Sequence, residues 1–282
     1  MYTLSVKNDR EDVLPLTGNK NYTVYKIKGL NPPPVTVNHS VNSTTDGSTI
    51  NSVRLANRNI VIYMAIEGNV EANRINLYKY FPLKKTVTLY FKNDTRDVYI
   101  EGTVELIECD LFSNKQVAQI SIICPQPYFK DVEELISYFS DVSSLFEFPF
   151  SIAEEGTEIS AITTSVRKSI VNVGDIESGI IIDVYAIGSV VNPVIYDVLA
   201  RTHIRLLFTM EANDRIVINT NVGKKSIKLI RNGVESNILG YMLPDSKWFT
   251  LKSGDNVFTY DADNGTSNMQ ITFTTSVLYG GV

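Results

Sequence analysis

Histidine and cysteine are nearly missing from this chain, with two of each in 282 residues beside a single tryptophan. A Ser-His-Asp site needs a histidine, yet His39 lies in a polar stretch and His203 on the outward side of a strand pattern. No Gly-x-Ser-x-Gly elbow accompanies either. Cys109 and Cys124 have no neighbouring basic residue to activate them, and both fall in strand-like runs, so they read as small buried apolar residues. Four scattered Cys and His side chains do not make a zinc cluster, and no metal or cofactor is expected. So few cysteines suit a chain made in a reducing cytoplasm.

Other absences narrow the class further. No apolar run approaches the ~20 residues of a membrane helix, and Gly179 to Val184, among the strongest short runs, fits a buried strand. The opening MYTLSVKNDREDV lacks a basic region followed by an apolar core, so no secretory signal is expected. A net charge of −5 argues against nucleic acid as a partner. The adjacent basic pairs Lys84-Lys85, Arg167-Lys168 and Lys224-Lys225 read as solvated strand ends. Acidic pairs for glycoside hydrolysis are invisible in sequence; Glu101 and Glu105 share the polar face of one strand, where solvation is sufficient explanation.

What is abundant is alternation. Val87, Leu89 and Phe91 share one face of a strand, as do Val98, Ile100, Val104 and Leu106, and again Ala118, Ile120, Ile122 and Cys124. Asn232-Gly233 predicts a type I′ hairpin between Ile227 to Leu229 and Val234 to Ile238. Ile204, Leu206 and Phe208, then Met269, Ile271 and Phe273, continue the pattern. Two stretches break it. Ile75, Tyr78 and Phe81 are spaced as a short helix stopped by Pro82, and Asp131 to Phe139 predicts a second helix with Asp131 as N-cap and Glu134 completing a capping box. The polar stretch 38–51 reads as a long mobile loop or hairpin tip.

The segment DSKWFTLKSGDNVFTYDADNG, from Asp245, gathers aspartates, glycines and Trp248. Its DADNG fails as a calcium loop, since glycine comes one place early and Thr272 stands where a bidentate glutamate is required. Trp248 to Leu251 reads as a strand with Trp248 packed inward, which leaves stacking on a sugar as the weaker reading for Trp248.

Several segments in order resemble the phage distal tail proteins of siphovirus tail tips: ICPQPYF from Ile123, the helix NRINLYKYF, GIIIDVYAIGSV, NPVIYDVLA from Asn192, VINTNVGKKSIKLIRNG and WFTLKSGDNVFTY. The resemblance implies a mainly β chain: an N-terminal β-barrel-like belt domain over 1–130, a helical linker over 131–145 and a galectin-like β-sandwich of jelly-roll type over 146–282. It also implies a non-enzymatic hub, a homo-hexameric ring at the distal tip of the virion's tail, assembled in the host cytoplasm. Such a ring joins the tail tube protein to a tail-associated fibre or lysin and carries receptor-binding or adhesion proteins. A ring needs two different complementary surfaces on each copy. The candidates are the 38–51 loop, with His39, Ser43, Asp46 and Gly47, and a free strand edge at Thr86, Thr88 and Tyr90. The galectin H-x-N-x-R pattern is missing around His203 and Arg205, so the fold analogy carries no sugar specificity. The alternative is a carbohydrate-binding module that adheres to host cell-wall glycans through the C-terminal sandwich.

Overall fold

The computed structural model describes residues 2–41, 44, 46–113, 115–144, 160–164 and 167–282. The fold is mainly β, and Val70–Tyr80 is the one α-helix among the described residues. The chain divides into two compact units, Met1–Val132 with Leu278–Val282, and Glu133–Val277.

In the first unit the long strand Asp97–Cys109 is shared between two sets of partners. Up to Thr103 it pairs with Thr86–Lys92, which pairs with Thr3–Lys7 and then Val13–Pro15. Beyond Thr103 it pairs with Val117–Cys124, followed by Arg58–Ile66 and Tyr22–Lys28. A bulge between Val104 and Leu106 adds local twist where the strand changes partners. Alternation aims Val87, Leu89, Phe91, Val98, Ile100, Ile60, Ile62, Ile120 and Ile122 into one core, all buried. The sheet stays open, ending at Val13–Pro15 and at Tyr22–Lys28.

The helix ends where the sequence places it but starts three residues earlier, at Val70, and its buried side differs. Asn69 caps it by accepting from the Ala72 N–H, and Phe81 ends it before Pro82. Leu77 and Phe81 are buried, whereas Ile75 and Tyr78 are exposed. Polar residues hide the true stripe: Asn73 faces inward and donates to the Glu67 carbonyl at 2.6 Å, and Asn76 donates to the Tyr22 hydroxyl.

The second unit is a sandwich. One sheet runs Met269–Tyr279, Ile181–Ala186, Arg215–Asn219, Ser226–Arg231, Val234–Asn237, and the other Arg167–Asn172, Gly254–Asp261, Val194–Asp197, Thr202–Arg205. Between them Phe139 meets Tyr260 and Phe273 edge-on at 5.3 and 5.0 Å, and Phe258 meets Phe273 at 4.9 Å, the geometry that ring quadrupoles favour. The hairpin expected at Asn232-Gly233 forms with φ of 52° and 78° at those residues, and Arg231 pairs with Val234. Gly265 (φ 80°) allows no side chain, since a Cβ there would lie 2.1 Å from the Ser189 carbonyl oxygen.

Two expected elements are corrected. Asp131 to Tyr138 is not a helix but part of the strand Phe129–Tyr138, with Lys130 opposite Tyr99 and Asp131 opposite Val98. Apolar residues at 132, 135, 136 and 139 keep a helical spacing, but pairing with the edge of Asp97–Cys109 overrides it and leaves Val132 and Ile136 exposed. Asp131 then accepts from the Tyr279 hydroxyl at 3.1 Å, where a helix cap was expected. Trp248 to Leu251 is not a ladder strand; only Leu251 bridges, to Ser178. Just beyond it, the Asn256 carboxamide accepts from the Lys252 N–H at 2.9 Å and donates to the Lys252 carbonyl at 2.8 Å, which fixes the bend between Leu251 and the strand Gly254–Asp261.

Candidate assembly interface

The stretch expected as a mobile loop or hairpin tip belongs to a two-stranded arm. Val35–Val41 and Ser48–Leu55 pair antiparallel as a separate two-stranded sheet in which every residue but the half-buried Leu55 is exposed. Alternation puts Val35, Val37, His39 and Val41 on one face, opposite Leu55, Val53, Ile50 and Ser48. Asn51 is left unpaired by a bulge, which returns Ile50 to the face of Val53 although the two are three residues apart. The other face is polar, with Thr36, Asn38, Ser40, Arg54 and Ser52, and Asn38 donates to the Ser52 hydroxyl at 2.9 Å. The arm is thus amphipathic with its apolar side uncovered, Ile50 being 62% and Val53 58% exposed. Of the sequence candidates, His39 sits on that apolar face, and Asp46 and Gly47 (φ 95°) precede the return strand. Ser43 lies outside the described residues.

The edge expected at Thr86, Thr88 and Tyr90 is largely covered. Thr88 and Tyr90 are paired on both sides, by Thr3–Lys7 and Asp97–Cys109, while Thr86 is paired to Thr103. What these residues offer is a face: Tyr90 stands beside Tyr99 at 5.9 Å, and the Lys130 ammonium lies 5.5 Å from the Tyr99 ring. Alternating sequence specifies a face well, but only the fold says which strands are outermost.

Two real edges escaped sequence reading. Among the described residues, Tyr22–Lys28 pairs only with Arg58–Ile66, and beyond Thr103 the strand Asp97–Cys109 pairs only with Val117–Cys124. These are the two borders of one four-stranded stretch, and they carry opposite charge. Exposed Lys26 and Lys28 stand on the first, both near the Tyr63 ring at 5.8 and 5.6 Å. Exposed Glu105 and Glu108 stand on the second. A pattern of lysines in one strand and glutamates in another was visible in sequence; that the strands are opposite borders was not.

The titratable groups elsewhere are structural. Burial pushes the Cys124 thiol up to about 12, and burial also raises Cys109. Both are far from the reactive thiolate range. Desolvation lowers the Arg58 guanidinium, which is 1% exposed. The Asp214 carboxylate is held below its usual range by hydrogen bonds from Arg231 at 2.8 and 2.5 Å and from the Glu211 N–H. Asp261 and Asp263, once weighed as calcium ligands, are engaged by the protein: Thr266 donates to Asp261 at 2.8 Å, while Asn192 and Arg205 donate to Asp263. Among the described residues no group of three or more His, Cys, Asp or Glu could hold a metal ion. Trp248 is half-buried against the sandwich core, and the Lys225 ammonium stands 5.6 Å from its ring. Among the described residues no helix is long and apolar enough to cross a membrane.

Residues 173–276 match the family model described as siphovirus-type tail component, C-terminal domain. That match lies within the second unit. Solved structures extend the likeness in fold to both units. The crystal structure of the phage SPP1 Dit protein, described as a paradigm of the hub adsorption apparatus in phages infecting Gram-positive bacteria, aligns over 98% of each chain with a TM-score of 0.69 and 12% identity. A chain of the phage P2 baseplate in its activated conformation with Ca aligns over 98% of each chain, with a TM-score of 0.54 and 12% identity. No curated protein matches the chain. The mainly β fold read from the sequence stands, and so does the resemblance to the distal tail proteins.

Proposed function

We propose that this chain is the structural hub of a phage tail tip, and that copies of its first unit close into a ring through the two oppositely charged sheet borders. The single observation that carries this reading is the charge asymmetry of one open sheet: Lys26 and Lys28 on one border, Glu105 and Glu108 on the other. Such borders are complementary to each other and repel themselves. They therefore favour head-to-tail contacts, which close into a ring when the rotation per copy divides a full turn. Strand-to-strand pairing supplies main-chain hydrogen bonds, and the charges supply register and exclude edge-to-edge aggregation. The amphipathic arm adds a second contact, since its apolar face finds no cover within its own unit.

Six copies, with the sandwich carrying adhesion proteins and the ring linking tail tube to fibre or lysin, is the form of the hub that the family resemblance suggests. The role is one of assembly, with no catalytic step.

Charge exchange tests the ring contact. A variant with Lys26→Glu and Lys28→Glu has two acidic borders, and one with Glu105→Lys and Glu108→Lys has two basic borders. Each alone should stay monomeric in light scattering and negative-stain images, while the wild type forms rings. Mixed in equal amounts, they should restore rings of alternating copies. Rings from either variant alone, or no rings from the mixture when the wild type forms them, would overturn the assignment.

A further inference from the structure

Arg58 occupies an unusual position for a charged side chain. It is buried, yet its hydrogen bonds go only to backbone carbonyls: Pro127 at 2.6 Å, Gly29, Asn31 at 2.9 Å, and Gly280 at 2.6 Å. Its guanidinium also stacks on Phe129, 4.5 Å from the ring centroid. A planar fork with five N–H groups can serve several carbonyls at once, which a lysine cannot.

Those carbonyls belong to particular places. Gly29 and Asn31 lie on the segment leading out to the arm, and Arg58 itself begins the strand that returns from it. Gly280 belongs to Leu278–Val282, the segment that rejoins the first unit after the strand Met269–Tyr279. Arg58 thus holds both feet of the arm together with a segment more than two hundred residues away in sequence.

Three further contacts fasten that segment at the same place. The Val282 N–H donates to the Leu30 carbonyl at 3.2 Å. Gly281 packs so closely on Pro32 that a Cβ would lie 2.8 Å from the proline Cδ. Arg96 donates to the Gly281 carbonyl and stacks on Tyr279 at 4.3 Å.

We propose that Leu278–Val282 is a latch that sets the arm, so that a chain becomes competent to assemble only after its closing strand has formed. The physical logic is one of unsatisfied groups. Without the segment, Arg58 loses one of its carbonyl partners, and the Leu30 carbonyl loses its donor, so the feet of the arm loosen. Met269–Tyr279 pairs along Ile181–Ala186 in the second unit, and the latch can close only once that strand is laid down. An arm with an exposed apolar face is an aggregation hazard while the fold is unfinished; coupling its placement to Leu278–Val282 delays exposure of a finished interface until that segment has docked.

The test uses the full chain, a chain ended after Val277, and Arg96→Ala as the milder variant. Trypsin cleavage after Lys28, at the foot of the arm, is compared with cleavage after Lys224 in an exposed turn of the second unit. The latch predicts roughly tenfold faster cleavage after Lys28 in the shortened chain and about threefold in Arg96→Ala, because cleavage follows the population of the opened segment. Cleavage after Lys224 should keep its wild-type rate in Arg96→Ala. If the Lys28-to-Lys224 ratio in Arg96→Ala equals that of the wild type, the latch is wrong, whether or not the shortened chain folds. The control over assembly rests on the hub reading and is read separately by ring yield. A faster Lys28 cut with an unchanged ring yield would overturn that control, and the cleavage ratio stands even if the wild type forms no rings.

Discussion

The two units bury their apolar surface by different means. In Glu133–Val277 a pair of sheets encloses Phe139, Phe249, Phe258 and Phe273, each at most 2% exposed, so this unit's core is covered by its own strands. The first unit has a core of its own but also carries an ordered arm with Val41, Ile50 and Val53 all more than half exposed. It leaves two charged sheet borders open as well. The contrast is between a unit whose aromatic core is enclosed by its own sheets and one that leaves an apolar face and two sheet borders uncovered among the described residues.

The largest effect should come from breaking the enclosed core. Phe273→Ala removes a ring that meets Phe139 and Phe258 edge-on. It should cost about 3–5 kcal/mol of unfolding free energy in urea melts of the full chain. The same measurement on Asp214 tests a charge in this unit. Asp214→Asn should cost about 2 kcal/mol, since a nearly buried carboxylate loses charge-assisted bonds from Arg231. Its folded-state pKa is depressed, so this contribution is present above the unfolded carboxylate value near pH 4 and is lost as pH falls through the folded value. Wild type and variant should therefore converge in stability on acidification, and a gap that persists at low pH would count against the assignment.

The smallest effect on folding should come from the arm. Ile50→Ser with Val53→Ser changes exposed side chains and should alter stability by no more than about 0.5 kcal/mol. It should nonetheless abolish or weaken ring formation in negative-stain images, which would sharpen the contrast between the units. Full ring yield from this double variant would instead reduce the arm to an ornament of the monomer.

Legibility in the sequence followed the same division. The strands of both cores were readable from Val87-Leu89-Phe91 and Met269-Ile271-Phe273, because a half-buried strand imposes a period of two on its own residues. The helix was placed but its buried side misread, since Asn73 and Asn76 face inward through hydrogen bonds that hydrophobicity does not register. Phe129–Tyr138 reads as helix because its apolar residues have helical spacing, and only pairing with the distant strand Asp97–Cys109 overrides that local pattern. For the interface, the region of the arm was located and His39 was on it, but its amphipathic face depends on a bulge that repositions Ile50. The expected edge at Thr86 to Tyr90 failed because edges belong to a sheet, and no single strand reports its neighbours.

Sequence alone was enough to determine a mainly β chain, its local turns such as Asn232-Gly233, and a resemblance to siphovirus tail components, since each depends on residues close together along the chain. Tertiary structure alone decided which strands border a sheet, that lysines and glutamates stand on opposite borders, and that Arg58 gathers Gly29, Asn31, Pro127 and Gly280. Those are relations between distant segments, and backbone carbonyls look alike in every sequence until the fold aims them at one guanidinium.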